Sequence, residues 1–268
     1  MIADQSAGAT PDALKLPRCT RYLLQYAGPL QHTRAIGGTP VNGSKRFLGG
    51  ILLILWGAWA LAAERSVAIP PPAVDNPKAA GAPQTAVLAG GCFWGVQAVF
   101  QHMNGVQRAM SGYAGGDRAT AEYESVSSGR TGHAESVQIT FDPGVVSYGE
   151  ILRVFFAVAH DPTQLNRQGP DRGTQYRSAI FYANEQQKEI ATAYIAQLDK
   201  TGRFRGPIVT RVDALHGFYD AEDYHQDYLV KHPTDLYIVI NDLPKVRDFE
   251  RTLPELYRAK AVPTKLAQ

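Results

Sequence analysis

Cysteine is scarce: the 268 residues hold two, Cys19 and Cys92. A disulfide framework beyond a single bridge is therefore excluded. The two cysteines and seven histidines show no zinc-ligand spacing. An excess of one charge is also missing, the formal net charge being +2. No basic run interleaves with aromatics, so nothing argues for nucleic acid as a partner. No apolar run reaches the roughly 20 residues that a bilayer-spanning helix needs, and there is no internal repeat. What is present, 44% apolar residues, suffices for a globular core, in one large domain or two small ones.

The chain is organised around Gly90-Gly91-Cys92-Phe93-Trp94-Gly95. Before it, residues 85–89 form a short apolar strand. After it, Val96, Val99 and Phe100 have the spacing of a buried helix face. Cys92 is thus expected at a strand-to-helix turn. The unpaired N–H groups and dipole of a helix N-terminus favour an anion there, and a thiolate is one. The glycines permit a tight turn and close approach of a substrate, and Phe93 and Trp94 set two large rings beside the sulfur. An inert buried cysteine is the alternative.

Residues 1–46 lack periodicity and read as disordered or untranslated. Lys45-Arg46 precede an apolar run over 47–61 that ends in small residues. This is the pattern of a secretory signal peptide, its hydrophobic region spanning 47–63. It implies export, to the periplasm in a bacterium; the alternative is an inner-membrane anchor at 47–63. Because a long stretch precedes Lys45, translation is expected to start at an internal non-Met codon such as that of Val41, which would remove Cys19. Residues 64–84, rich in Pro and Ala, read as an extended, solvated linker. The folded domain is expected over 85–240, with 241–268 a peripheral tail.

Within that domain, Val137, Ile139 and Phe141 alternate with polar residues, which predicts a strand with one buried face. Glu135 shares their parity. A carboxyl on that side is desolvated and its pKa rises, as a general acid near neutral pH requires; the alternative is a solvent-facing strand end. Ser147 and Glu150 form a capping box for a helix to His160. The polar loop 166–177 holds Asp171 and Tyr176 among arginines, and loops of that length are often functional. A strand follows at 178–182, then an amphipathic helix at 185–198 and a strand at 208–212. Asp220 is expected to cap a helix over 221–229 that carries Tyr224, His225 and Tyr228.

Gly91-Cys92-Phe93-Trp94-Gly95, Thr131-Gly132-His133-Ala134-Glu135, Gly173-Thr174-Gln175-Tyr176-Arg177-Ser178 and Ala221-Glu222-Asp223-Tyr224-His225-Gln226 closely resemble, in order, the motifs of A-type peptide methionine sulfoxide reductases. The resemblance runs from about residue 85 to 240. It implies an α+β fold: a two-layer sandwich with a mixed sheet, helices packed on it and a ferredoxin-like core. It also implies reduction of the S epimer of methionine sulfoxide, free or in proteins. By motif, Cys92 would attack the sulfoxide sulfur and Glu135 would protonate its oxygen. Tyr123 and Tyr176 would hydrogen-bond that oxygen, and Phe93 and Trp94 would hold the S-methyl group. Asp171 would hold the substrate backbone or a water, with His225 and Tyr228 further out. No bound cofactor and a monomer are expected. Many members carry C-terminal resolving cysteines, but here none follows Cys92. An external thiol (a thioredoxin, a glutaredoxin or a small thiol) would then reset the enzyme. Two rival readings are a cysteine hydrolase using Cys92 and His225, and a binding module using the aromatics as a platform.

Overall fold

The computed structural model describes residues 66–264. Cys19, Lys45-Arg46 and the apolar run after them lie outside the described residues. In chain order the strands and α-helices are β1 (Gln84–Gly90), α1 (Phe93–Gln101), β2 (Val106–Ala114), α2 (Tyr123–Val126), β3 (Ala134–Phe141), α3 (Tyr148–Val154), β4 (Arg167–Gln168), β5 (Asp171–Arg172), β6 (Ser178–Tyr182), α4 (Glu185–Asp199), β7 (Arg211–Ala214), β8 (Phe218–Asp220), α5 (Tyr228–Lys231) and α6 (Leu243–Thr252).

Six strands form one sheet in the order β7-β6-β1-β3-β2-β8, and β4 pairs with β5 apart from it. The inner four, β6-β1-β3-β2, are antiparallel neighbours. With α1 crossing between β1 and β2, and α3 between β3 and β6, they make a split βαβ, ferredoxin-like core. The parallel pairing of β7 with β6 makes the sheet mixed. This is the α+β architecture expected. Period-two alternation divides each inner strand between two faces. Ala86, Leu88, Val137, Ile139 and Phe141 join α1, α3, α4 and α6 in the main core. Val87, Ala89, Ala114, Ala134, Ala179 and Phe181 form a smaller cluster on the other face.

Ser147 caps α3 with Glu150 in the expected box. The helix then widens into a π turn over Phe155–Ala159 and stops where His160 becomes extended. Four expectations are corrected. The segment before β1 is extended and mostly exposed as expected, but it is docked rather than free: Val67 N–H donates to Ala157 O at 2.8 Å, the Tyr194 hydroxyl donates to Pro70 O at 2.7 Å, and Ile69 is buried in the main core. Residues 241–264 are no peripheral tail, since Phe249 is fully buried and Val262 N–H donates to Gln101 O. The expected strand at 208–212 is shifted to 211–214.

The expected helix over 221–229 is two short turns, a 3-10 turn at Asp223–His225 and α5, while Asp220 ends β8 rather than capping a helix. The reason is a side chain that acts as sheet edge. Gln226 accepts from Ser111 N–H at 3.0 Å and donates to Ser111 O at 2.9 Å, extending the β2 ladder where β8 ends. This requires an extended Gln226, and Asp227 then reverses the chain at φ 57°.

Candidate active site

β1 ends in the turn that presents Cys92 as the N-cap residue of α1, with φ −54° and ψ 121°. Cys92 is buried and in no disulfide. Gly91 adopts φ +93°, which favours glycine, and a Cβ there would lie 2.5 Å from the side chain of Gln168. A Cβ on Gly90 would meet Phe155 at 3.0 Å and His160 at 3.2 Å. On Gly95 it would lie 2.2 Å from Asp242 Oδ1. These glycines make the tight turn the sequence led one to expect, and they also give room to neighbouring protein side chains. Gly95→Ala is therefore expected to cost about 1–3 kcal/mol through overpacking, read as a lowered midpoint of denaturant unfolding.

Glu135 lies on β3, its side chain on the helix face, and is 1% exposed. The Phe93 N–H, in the first turn of α1, donates to Glu135 Oε2 at 3.1 Å. Acid and thiol are thus tied to one helix end. Burial raises the pKa of Glu135 well above the ordinary carboxyl value. The Phe93 hydrogen bond opposes that rise, while the charges of Asp171, Asp242 and Glu222 add to it.

Trp94 is held on several sides. Its indole N–H donates to His225 Nδ1 at 3.1 Å. Tyr228 stacks on it at 3.7 Å between centroids, and Tyr237 meets it edge-on at 5.9 Å. The His225 ring is fully buried, 5.0 Å from Phe93 and 4.4 Å from Tyr123. Because Nδ1 accepts from Trp94, the neutral ring carries its proton on Nε2, 3.9 Å from the Glu222 carboxylate. Burial lowers its pKa to about 4, so near neutrality it is an uncharged brace for the indole. Its basic nitrogen, Nδ1, is already taken by the Trp94 N–H, which leaves no lone pair for a His225-dependent hydrolase.

The residues expected from sequence fall into three groups. Cys92, Phe93, Trp94 and Glu135 meet at the start of α1. His225 and Tyr228 grip Trp94. Asp171, Tyr123 and Tyr176 are buried around this centre: the Tyr237 hydroxyl donates to Asp171 Oδ2, and Tyr176 closes a 3-10 turn that packs on β3. Arg177 fixes that turn by donating to Thr174 O, His133 O and Gly132 O at 2.8 to 3.1 Å, so two of the sequence motifs are joined by one guanidinium.

Sequence reasoning missed Tyr113, which pairs with Glu135 across β2 and β3 and donates to Glu222 Oε2 at 2.8 Å. It also gave no role to Glu222, which accepts from Tyr123 N–H at 2.9 Å as well. Tyr237, Asp242 and Lys245 were passed over in a stretch of weak pattern. The alternation of Ala109, Ser111 and Tyr113 along β2 was the available signal for Tyr113. Among the described residues, no group of three His, Cys, Asp or Glu could hold a metal ion.

A buried cysteine at the N-cap position of a helix, a carboxyl on the same helix end whose burial favours its neutral form and a braced indole characterise a thiol-dependent enzyme on a ferredoxin-like frame. The family model for peptide methionine sulfoxide reductase matches residues 84–256. Peptide methionine sulfoxide reductase MsrA 2 of Mesorhizobium japonicum is 59% identical over 185 residues, covering 69% of this chain and 95% of the relative. The MsrA 2 of Synechocystis is 50% identical over 199 residues, covering 73% and 93%. Among solved structures, reduced Mxr1 of Saccharomyces cerevisiae aligns with a TM-score of 0.51 at 35% identity, covering 57% of this chain and 87% of that one. The chain belongs to the peptide methionine sulfoxide reductases of the A type. It is an oxidoreductase that reduces peptide methionine sulfoxide.

Proposed function

We propose that the enzyme reduces the S epimer of methionine sulfoxide, free or within oxidised proteins, through a sulfenic acid on Cys92. The observation that carries this reading is the Phe93 N–H bond to Glu135, which sets a buried acid beside the Cys92 turn. The Cys92 thiolate attacks the sulfoxide sulfur. Glu135 delivers a proton to the oxygen, which leaves the substrate sulfur as a hydroxyl and ends on Cys92. The bond between the two sulfurs breaks as the hydroxyl reaches Cys92, so the thiol loses two electrons, the sulfoxide sulfur gains them, and methionine departs. Tyr123 and Tyr176 donate hydrogen bonds to the oxygen as its charge grows. The Phe93–Trp94 wall takes the methyl group, and Asp171 holds the substrate backbone or a water.

Recycling uses external thiol. One thiol attacks the sulfenic sulfur and expels water, leaving a mixed disulfide; a second thiol then releases Cys92. A thioredoxin, a glutaredoxin or a small thiol fits, because Cys92 is followed by no other cysteine. The enzyme acts as a monomer, exported by the signal pattern at 47–63, and repairs oxidised proteins.

Epimer choice is tested with separated S and R sulfoxides of one blocked methionine under steady state. A methyl-shaped pocket is worth about 1–3 kcal/mol per misfit. Turnover of S, with R slower by at least about 10-fold, is expected; equal rates overturn the epimer assignment.

A further inference from the structure

Helix α1 carries two buried glutamines on the face that bears Trp94, and the mechanism above gives neither a task. Trp94, Gln97 and Gln101 stand at i, i+3 and i+7 along it. Gln97 donates to Gln226 Oε1 at 2.9 Å, and its own Oε1 accepts from Asp227 N–H at 2.9 Å. Gln101 donates to Asp227 Oδ1 at 2.6 Å. The same oxygen accepts from the N–H of Thr264 at 3.1 Å and from the Thr264 hydroxyl. Thr264 is itself buried. It ends a run docked along the far end of α1. In that run Tyr257 bridges with Met103, Arg258 N–H donates to His102 O at 2.8 Å, and Val262 N–H donates to Gln101 O at 2.9 Å.

We propose that Thr264 is a positioning residue for the substrate pocket: by holding Asp227 in its turn, it sets Tyr228 flat against Trp94. The inference rests on the reading of Trp94 as a wall for the substrate methyl group. Asp227 has φ 57°, a left-handed conformation that residues other than glycine rarely adopt. Such backbone persists only where its surroundings over-determine it. Gln97, Gln101 and Thr264 do so here, from a helix and from a segment distant in the chain. The turn fixes where the next side chain goes. That side chain is Tyr228, whose ring lies 3.7 Å from the indole and within 5° of parallel to it. The C-terminal segment thus reaches the pocket through one aspartate, without touching substrate.

The test is steady-state reduction of a blocked S sulfoxide by the full chain, together with acrylamide quenching of fluorescence. The quenching uses a Trp56→Phe, Trp59→Phe background, in which Trp94 is the one indole left. Thr264→Val keeps the shape and loses the hydroxyl donor. It should raise KM about fivefold with kcat held, the mark of lost uniform binding, and should make Trp94 easier to quench. Thr264→Ser should restore both. Should Thr264→Val fail to fold, Asp227→Gly serves: glycine keeps the turn, the acceptor is gone, and KM should rise likewise. Wild-type KM and quenching in the folded variant, or a rise that Thr264→Ser does not reverse, overturn the proposal. A wild-type KM in Trp94→Phe instead overturns the reading of the Trp94 wall, so the two failures are distinguishable.

Discussion

Cys92→Ser should abolish sulfoxide reduction while leaving a folded protein. The side chain is buried at the N-cap of α1, where serine is a favoured residue, so helix and turn should form as before. The chemistry cannot proceed, because a hydroxyl does not accept an oxygen atom and two oxidising equivalents as sulfur does. The loss should be on the order of 10⁴-fold or more, as for other essential nucleophiles. Circular dichroism would establish the fold, and methionine release the activity. Retention of sulfoxide reduction would contradict the assignment of Cys92 as the nucleophile.

Glu135→Gln should produce the second largest effect. An acid positioned for proton transfer contributes typically 10²–10⁴-fold, and that loss should fall on kcat more than on KM. The wild-type rate should decline as pH rises through the raised pKa of Glu135, since only the protonated form donates. The variant should lack that decline. Stability should respond with the opposite preference. The folded protein binds a proton at Glu135 that the unfolded chain gives up above about pH 4.3. Burial of this group therefore lowers stability progressively from that pH up to its folded pKa, with no further change beyond. Glu135→Gln has no such proton to lose, so its melting temperature should exceed that of wild type at pH 7, with the gap closing towards pH 4. An acid that costs stability in order to be available is a common feature of enzyme sites. Thermal melts of both proteins at the two pH values decide the matter.

The parts of this site readable from sequence are those with local pattern. The apolar strand, the Gly-Gly-Cys turn and the spacing of Val96, Val99 and Phe100 placed Cys92 at a helix start because each signal lies within a few residues. The parity of Glu135 with Val137, Ile139 and Phe141 placed it inside for the same reason. What escaped depends on distant partners. Residues 221–229 have helical spacing, yet Gln226 gains more by closing the edge of β2 at Ser111 than a continuous helix would offer. Asp242 and Lys245 are charged residues in a stretch of weak periodicity, yet they pair inside the domain and pack where Gly95 has no side chain. The segment at 66–80 looked like a solvated linker from its prolines. It is largely exposed, as its prolines suggest, but its backbone also binds the body of the domain through Ala157, Tyr194 and Gln197.

A single turnover without reductant tests the role of Cys92 most directly. Enzyme in excess of the S sulfoxide would be followed by methionine release, thiol titration and intact mass. The prediction is up to one methionine per enzyme molecule, with the Cys92 thiol lost and the protein one oxygen atom heavier at that residue. Methionine release that leaves the thiol intact, or a folded wild-type protein that releases none, would contradict the central claim that Cys92 takes the oxygen.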